Sequence, residues 1–181
     1  MKTHQILLLA LISIGFISCN MTGGTNYTPQ ISISSRLKVL KADSLHSVDT
    51  LYMHNTSAVG ELLLDTITVG DTVEIQVSLD AITNNITAFY LVQSADSLTS
   101  IALPVKSSLD ELFSSSSNYA DGKFFSSSSY SSLYFPFRYI AKKPSKDAKL
   151  TFTVVSDAVF KDISGSNSNS FVLKTPIKAS K

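Results

Sequence analysis

A metal ion needs imidazole or carboxylate ligands converging on one point, and the chain offers His46 and His54 with Asp49 between them. Eight residues of extended chain hold the two imidazoles ~27 Å apart, so solvated loop histidines are expected rather than ligands. A serine nucleophile needs a base and a strained elbow. The chain has no Gly-x-Ser-x-Gly, and Ser35 to Lys38 matches Ser-x-x-Lys only as a string on an alternating strand. Paired carboxylates for glycoside hydrolysis would be drawn from 14 acids, of which only three are Glu. No catalytic residue, metal ligand or cofactor is therefore assigned, and a non-enzyme is expected.

Ligand contacts are better supplied. Phe124, Phe125, Tyr130, Tyr134 and Tyr139 are aromatic stacking candidates for a sugar, with Tyr130, Tyr134 and Tyr139 as the expected glycan contacts. Lys142, Lys143, Lys146 and Lys149 crowd one turn, interrupted by Asp147, and read as a solvated hairpin tip. A further pattern exceeds composition: Asp, then Ser or Thr, then an apolar residue recurs at positions 43, 49, 65, 71 and 96, five of 11 aspartates, where composition alone gives roughly one. It resembles the O-glycosylation motif of Bacteroidota envelope proteins, and the resemblance implies Ser44, Thr50, Thr66, Thr72 and Ser97 as acceptors.

Cys19 is the only cysteine. Ahead of it stand a charged start with Lys2, an apolar run from Ile6 to Ile17 and a small residue, Ser18. These are the parts of a secretory signal, and the run is shorter than the ~20 residues of a spanning helix. Phe16-Ile17-Ser18-Cys19 resembles the lipobox of bacterial lipoproteins, which implies cleavage after residue 18 and acyl chains on Cys19. The residues behind it, "NMTGGTN", lack the acidic run that surface-exposed lipoproteins of the Bacteroidota often carry after the cysteine, so the resemblance favours the periplasmic face of the outer membrane over the cell surface.

Loss of residues 1–18 removes Lys2 and leaves 14 cations against 14 acids, a balance that argues against nucleic acid as a partner. Residues 19–29 are polar and read as a flexible tether, and residues 30–181 as a single domain. Within it the apolar period is two. Ile31, Ile33, Leu37 and Val39 share one face; Val73, Ile75, Val77 and Leu79 share another, started by the Gly70-Asp71 turn. "ITAFYLVQ" is apolar on both faces, and residues 72–93 read as a hairpin. The segment 107–132 holds 12 serines and reads as a long loop with one short helix at 109–113. Pro136 places the strand "LYFPFRYIA" at an edge or bulge.

These elements predict an all-β antiparallel sandwich of about seven to eight strands. "GDTVEIQV" and "AKLTFTVV" resemble the paired inner strands of immunoglobulin-like bacterial modules. The expected function is that of a membrane-anchored accessory lipoprotein holding an envelope protein, with glycan binding in a polysaccharide-capture system as the alternative.

Overall fold

A computed structural model describes residues 26–42, 47–160 and 165–180. Thirteen strands and one short helix are formed among them. They are β1 (Gln30–Ile33), β2 (Arg36–Leu40), β3 (Val48–Asn55), β4 (Glu61–Leu64), β5 (Ile67–Thr68), β6 (Thr72–Asp80), β7 (Ile86–Gln93), β8 (Thr99–Ala102), α1 (Lys106–Asp110), β9 (Lys123–Phe125), β10 (Ser132–Ala141), β11 (Lys149–Ser156), β12 (Ser168–Lys174) and β13 (Ile177–Lys178). The all-β class is as expected, and the strand number exceeds the seven to eight expected from alternation.

Most of the excess consists of strands too short or too unevenly buried to alternate. β3 pairs with β2 through Val48 to Tyr52 and with β4 through Met53 to Asn55, so it passes from one layer to the other and no single face stays buried. One layer runs β8-β10-β6-β2-β3, with β1 also on β6; the other runs β3-β4-β12-β11-β7-β9. Two of the pairings, β4 with β12 and β5 with β13, are parallel.

The core fills the space between the layers. β6 contributes Val73, Ile75, Val77 and Leu79, and β10 contributes Leu133, Phe135, Phe137 and Tyr139, all buried. From the other layer Phe89 meets Phe135 edge-on at 5.6 Å and Phe152 meets Phe137 at 6.1 Å. The serine-rich segment is more structured than a loop. It contains β9 and two isolated bridges, and it lowers Phe113 and Phe124 into the core, 5.1 Å apart. The helix lies three residues earlier than expected, at Lys106–Asp110, and drops Leu109 into the core.

The expected 72–93 hairpin is not formed. β6 pairs with β1, β2 and β10, whereas β7 pairs with β9 and β11 in the facing layer. Residues 81–85 therefore cross between layers. Asp80 accepts the Ile82 N–H at 2.7 Å, Ile82 takes φ 63°, and Asp157 on the second layer accepts the Asn85 N–H at 2.7 Å. Those backbone and side-chain amide bonds from Asn85 hold the Asp157 carboxyl below its ordinary range.

The Gly70-Asp71 turn does start β6. The buried Asp71 carboxylate accepts the N–H of Thr68 at 2.9 Å and of Ala42 at 3.0 Å, and meets Lys41 at 3.4 Å, so one side chain ties three segments together. Pro136 is an edge residue on one side only: β8 ends opposite Arg138, and beyond that point β10 has β6 alone.

Candidate functional site

The alternation that buries one face of each strand leaves edges and outer faces to meet a ligand. Edges come first, because an unpaired strand presents N–H and C=O groups to any extended chain. β8 and β9 each pair on one side, and both are blunted. β8 has four residues and runs into Leu103-Pro104; β9 has three and opens with Lys123. β1 is different. It pairs with β6 alone among the described residues, and Gln30-Ile31-Ser32-Ile33 carries neither charge nor proline.

Beside that free edge lies a groove of about 450 Å³. Ile31, Ile33, Leu62 and Phe171 give it apolar walls, and Ala58 stands at its mouth. Phe171 is half-buried because β4 covers β12 only from Val172 onward; its ring stacks on Phe152 at 4.5 Å, 10° from parallel. The far wall is the 56–60 loop, fixed by its own bonds: Thr56 Oγ1 donates to the Glu61 carbonyl at 3.2 Å and Gly60 C=O accepts the Val172 N–H at 2.8 Å. Lys174 lies 2.7 Å from the Glu61 carboxylate and lowers its pKa, so the rim charge is neutralised.

A larger cleft, about 850 Å³, opens between β8 and residues 119–124. Its two carboxylates are each engaged locally. Asp96 accepts from Gln93; Asp121 accepts from Asn118 at 2.9 Å and pairs with Lys123 at 3.6 Å. Tyr119 in its wall donates to Asp110 at 2.9 Å, and burial together with that carboxylate pushes the phenol up to about 12. His54 lies on β3 rather than in a loop, 2.9 Å from Asp65, whose carboxyl is lowered first by the Tyr52 N–H and then by His54. His46 lies outside the described residues, and no cluster of three metal-ligating side chains forms among the described ones. Lys38, the end of the Ser-x-x-Lys string, points outward to Glu74 at 3.1 Å.

The three expected glycan contacts are not brought together. Tyr134 is 57% exposed on the outer face of β10, with its hydroxyl on Gln76. Tyr130 is half-buried against the core, its hydroxyl 3.4 Å from the Glu111 carbonyl. Tyr139 is fully buried and cannot touch a glycan. Its side chain shares the inward face with Phe135 and Phe137, and a lone hydroxyl did not outweigh the ring's burial.

That hydroxyl is stranded. Thr99 and Thr175 lie beside it and burial raises its pKa, yet neither Tyr139 Oη nor Thr175 Oγ1 has a partner in hydrogen-bond geometry. Tyr139→Phe removes an unsatisfied buried group and keeps the ring, so it is expected to raise stability by about 1 kcal/mol in a denaturant titration. A loss of that size instead would mean that the phenol is hydrogen-bonded in solution, to Thr99, to Thr175 or to a buried water.

Of the expected acceptors, Thr50 on β3, Thr66 between β4 and β5, and Ser97 in the turn before β8 are exposed. Thr72 is half-buried at the start of β6, between Leu40 and Ile140. Ser44 and Cys19 lie outside the described residues. Sequence reasoning missed the β1 groove, because Ile31 and Phe171 meet only once the layers fold over; the unbroken, uncharged "QISI" was its one local signal.

No protein-family model matches the chain, and no curated protein matches it. Among solved structures the chain is similar to the ASH/PapD-like domain of human CEP192 (PapD-like domain 7), with 11% identity, 90% of this chain and 93% of that chain covered, and a TM-score of 0.39.

Proposed function

We propose that the chain is an exported, non-catalytic lipoprotein, anchored through Cys19 at the periplasmic face of the outer membrane, whose domain holds a protein partner by adding an extended segment of it to β1. The observation that carries this is the free, uncharged edge of β1 beside an apolar groove. Strand addition uses main-chain hydrogen bonds for affinity and pockets for alternate side chains for selectivity, and β1 with its groove offers both. The sequence features ahead of the domain support the anchor: a signal-like run, the lipobox-like Phe16 to Cys19, and a single cysteine placed where cleavage would leave it first. Among the described residues no helix is long and apolar enough to cross a membrane.

The test is photocrosslinking in the native host. With p-benzoylphenylalanine at exposed Ala58, one discrete adduct is expected, mapping to an extended segment of the partner. The same probe at Val92, on the outward side of β7, serves as control. No adduct from 58, or the same adducts from both positions, would refute the reading.

The glycosylation motifs belong to the same proposal. Mass spectrometry of the native protein is expected to find glycan on Thr50, Thr66 and Ser97, where the hydroxyl is open, and none on Thr72. Glycan on Thr72 with bare Thr50 would contradict accessibility as the selector.

A further inference from the structure

The outer face of the first layer carries a second arrangement that strand addition does not use. Across it, perpendicular to the strands, Thr50 on β3 opposes Lys38 on β2, Lys38 opposes Glu74 on β6, and Glu74 opposes Arg138 on β10. Glu74 is shared, 3.1 Å from Lys38 and 3.2 Å from Arg138, and both cations lower its pKa. One acid therefore serves two cations. Arg36, the next outward residue of β2, lies over the Tyr52 ring at 5.9 Å and has no ion pair among the described residues. The centre of the face thus holds three cations against one acid.

Beside the cations lies apolar, planar surface. The Tyr134 hydroxyl reaches Gln76 on the neighbouring strand, and the ring stays exposed on the outer face. Next to it, a groove of about 440 Å³ runs between β10 and residues 102–105, with Pro136, Pro104 and Val105 as apolar wall and Glu74, Gln76 and Arg138 as polar wall.

We infer that this face binds a carboxylated oligosaccharide laid across β2, β6 and β10. The charge selects an anion. Arg138 gives Glu74 one guanidinium nitrogen, and the rest of its fork is free for a second carboxylate. The backbones of β2 and β10 stand two strand spacings apart, ~9.6 Å, and the Lys38 and Arg138 heads lean inward from there to the one Glu74 carboxylate, which suits carboxylates on neighbouring sugars of an extended chain. The C–H face of a sugar ring lies on Tyr134 and Pro136, and its hydroxyls meet Gln76. A peptide is disfavoured here because β6 is paired on both sides and the open edge beside the groove, β10 before Arg138, is interrupted by Pro136, which has no N–H to offer a ladder.

The experiment titrates the full chain, purified in detergent from a host that leaves Thr50 bare, with oligogalacturonate, maltooligosaccharide, dextran sulfate and poly-glutamate. Oligogalacturonate is expected to bind and the neutral maltooligosaccharide to fail. Tyr134→Ala and Arg138→Gln, both at exposed side chains, are each expected to weaken binding about tenfold with an unchanged melting curve. Rising salt is expected to weaken it further. Absence of oligogalacturonate binding, indifference to both substitutions, or equal binding of dextran sulfate or poly-glutamate would overturn the proposal. None of these outcomes bears on crosslinking from Ala58, which lies at the β1 groove.

Discussion

Gly122→Ala is expected to cost the domain about 4 kcal/mol. Gly122 holds φ +65°, a region in which a side chain costs ~1–2 kcal/mol. A Cβ there would stand 1.9 Å from the Leu91 carbonyl oxygen, so backbone must move against backbone; forced overpacking costs about 1–3 kcal/mol. Moving it strains the 2.9 Å bond from Leu91 N–H to the Gly122 carbonyl, worth ~1 kcal/mol. That bond continues the β7–β9 ladder, and the ladder holds Phe124 against Phe89 and Phe113. The melting temperature should fall by roughly 12 °C. A fall under about 3 °C would mean that the 119–124 turn is not pressed on β7 as described.

Cys19→Ala is expected to abolish acyl labelling altogether. Each buried methylene contributes ~0.8 kcal/mol to membrane binding, and one chain anchors marginally while two or more anchor stably. The thiol sulfur is the only one in the chain available to carry a thioether-linked lipid. Grown with an alkyne fatty acid, the native host should yield labelled protein shorter than its precursor, and the alanine variant should stay unlabelled at precursor length. Label that persists at full strength in the variant would place the lipid elsewhere and remove the anchor from the account.

Legibility in the sequence tracked how completely one face of a strand is buried. β6 reads as a strand because Val73, Ile75, Val77 and Leu79 all face the core while Glu74 and Gln76 face out. β3 does not, because it leaves one layer for the other near Met53, and its apolar side chains fall on both sides. Residues 81–85 carry turn chemistry, and turn chemistry is the same whether the chain returns beside its own strand or crosses to a facing layer. Only the partners of β6 and β7 distinguish the two. In the serine-rich segment, the local preference of serine hid the long-range pull of Phe113 and Phe124. Asn26, within the stretch that reads as a tether, bonds Val159 at 2.8 Å and Asn84 at 3.1 Å, partners 133 and 58 positions away that no local pattern announces.

The candidate surfaces were legible in part. The alternation of β10 already sorted Tyr134 outward and Tyr139 inward with Phe135 and Phe137, so the burial of Tyr139 was readable from its parity. Arg36, Lys38 and Arg138 were readable as outward residues, but their convergence on Glu74 depends on which strands are neighbours. Phe171 and Ile31 lie 140 positions apart in the chain, and no local pattern joins them.

The free edge of β1 is tested most directly by amide hydrogen exchange in residues 30–33, comparing the purified protein with the complex isolated from native membranes. The outward amides of β1 should exchange at the rate of exposed backbone in the purified protein and slow by about tenfold or more in the complex, while the amides of β8 keep one rate in both. Equal rates for β1 in the two preparations, or protection already complete in the purified protein, would contradict strand addition at this edge.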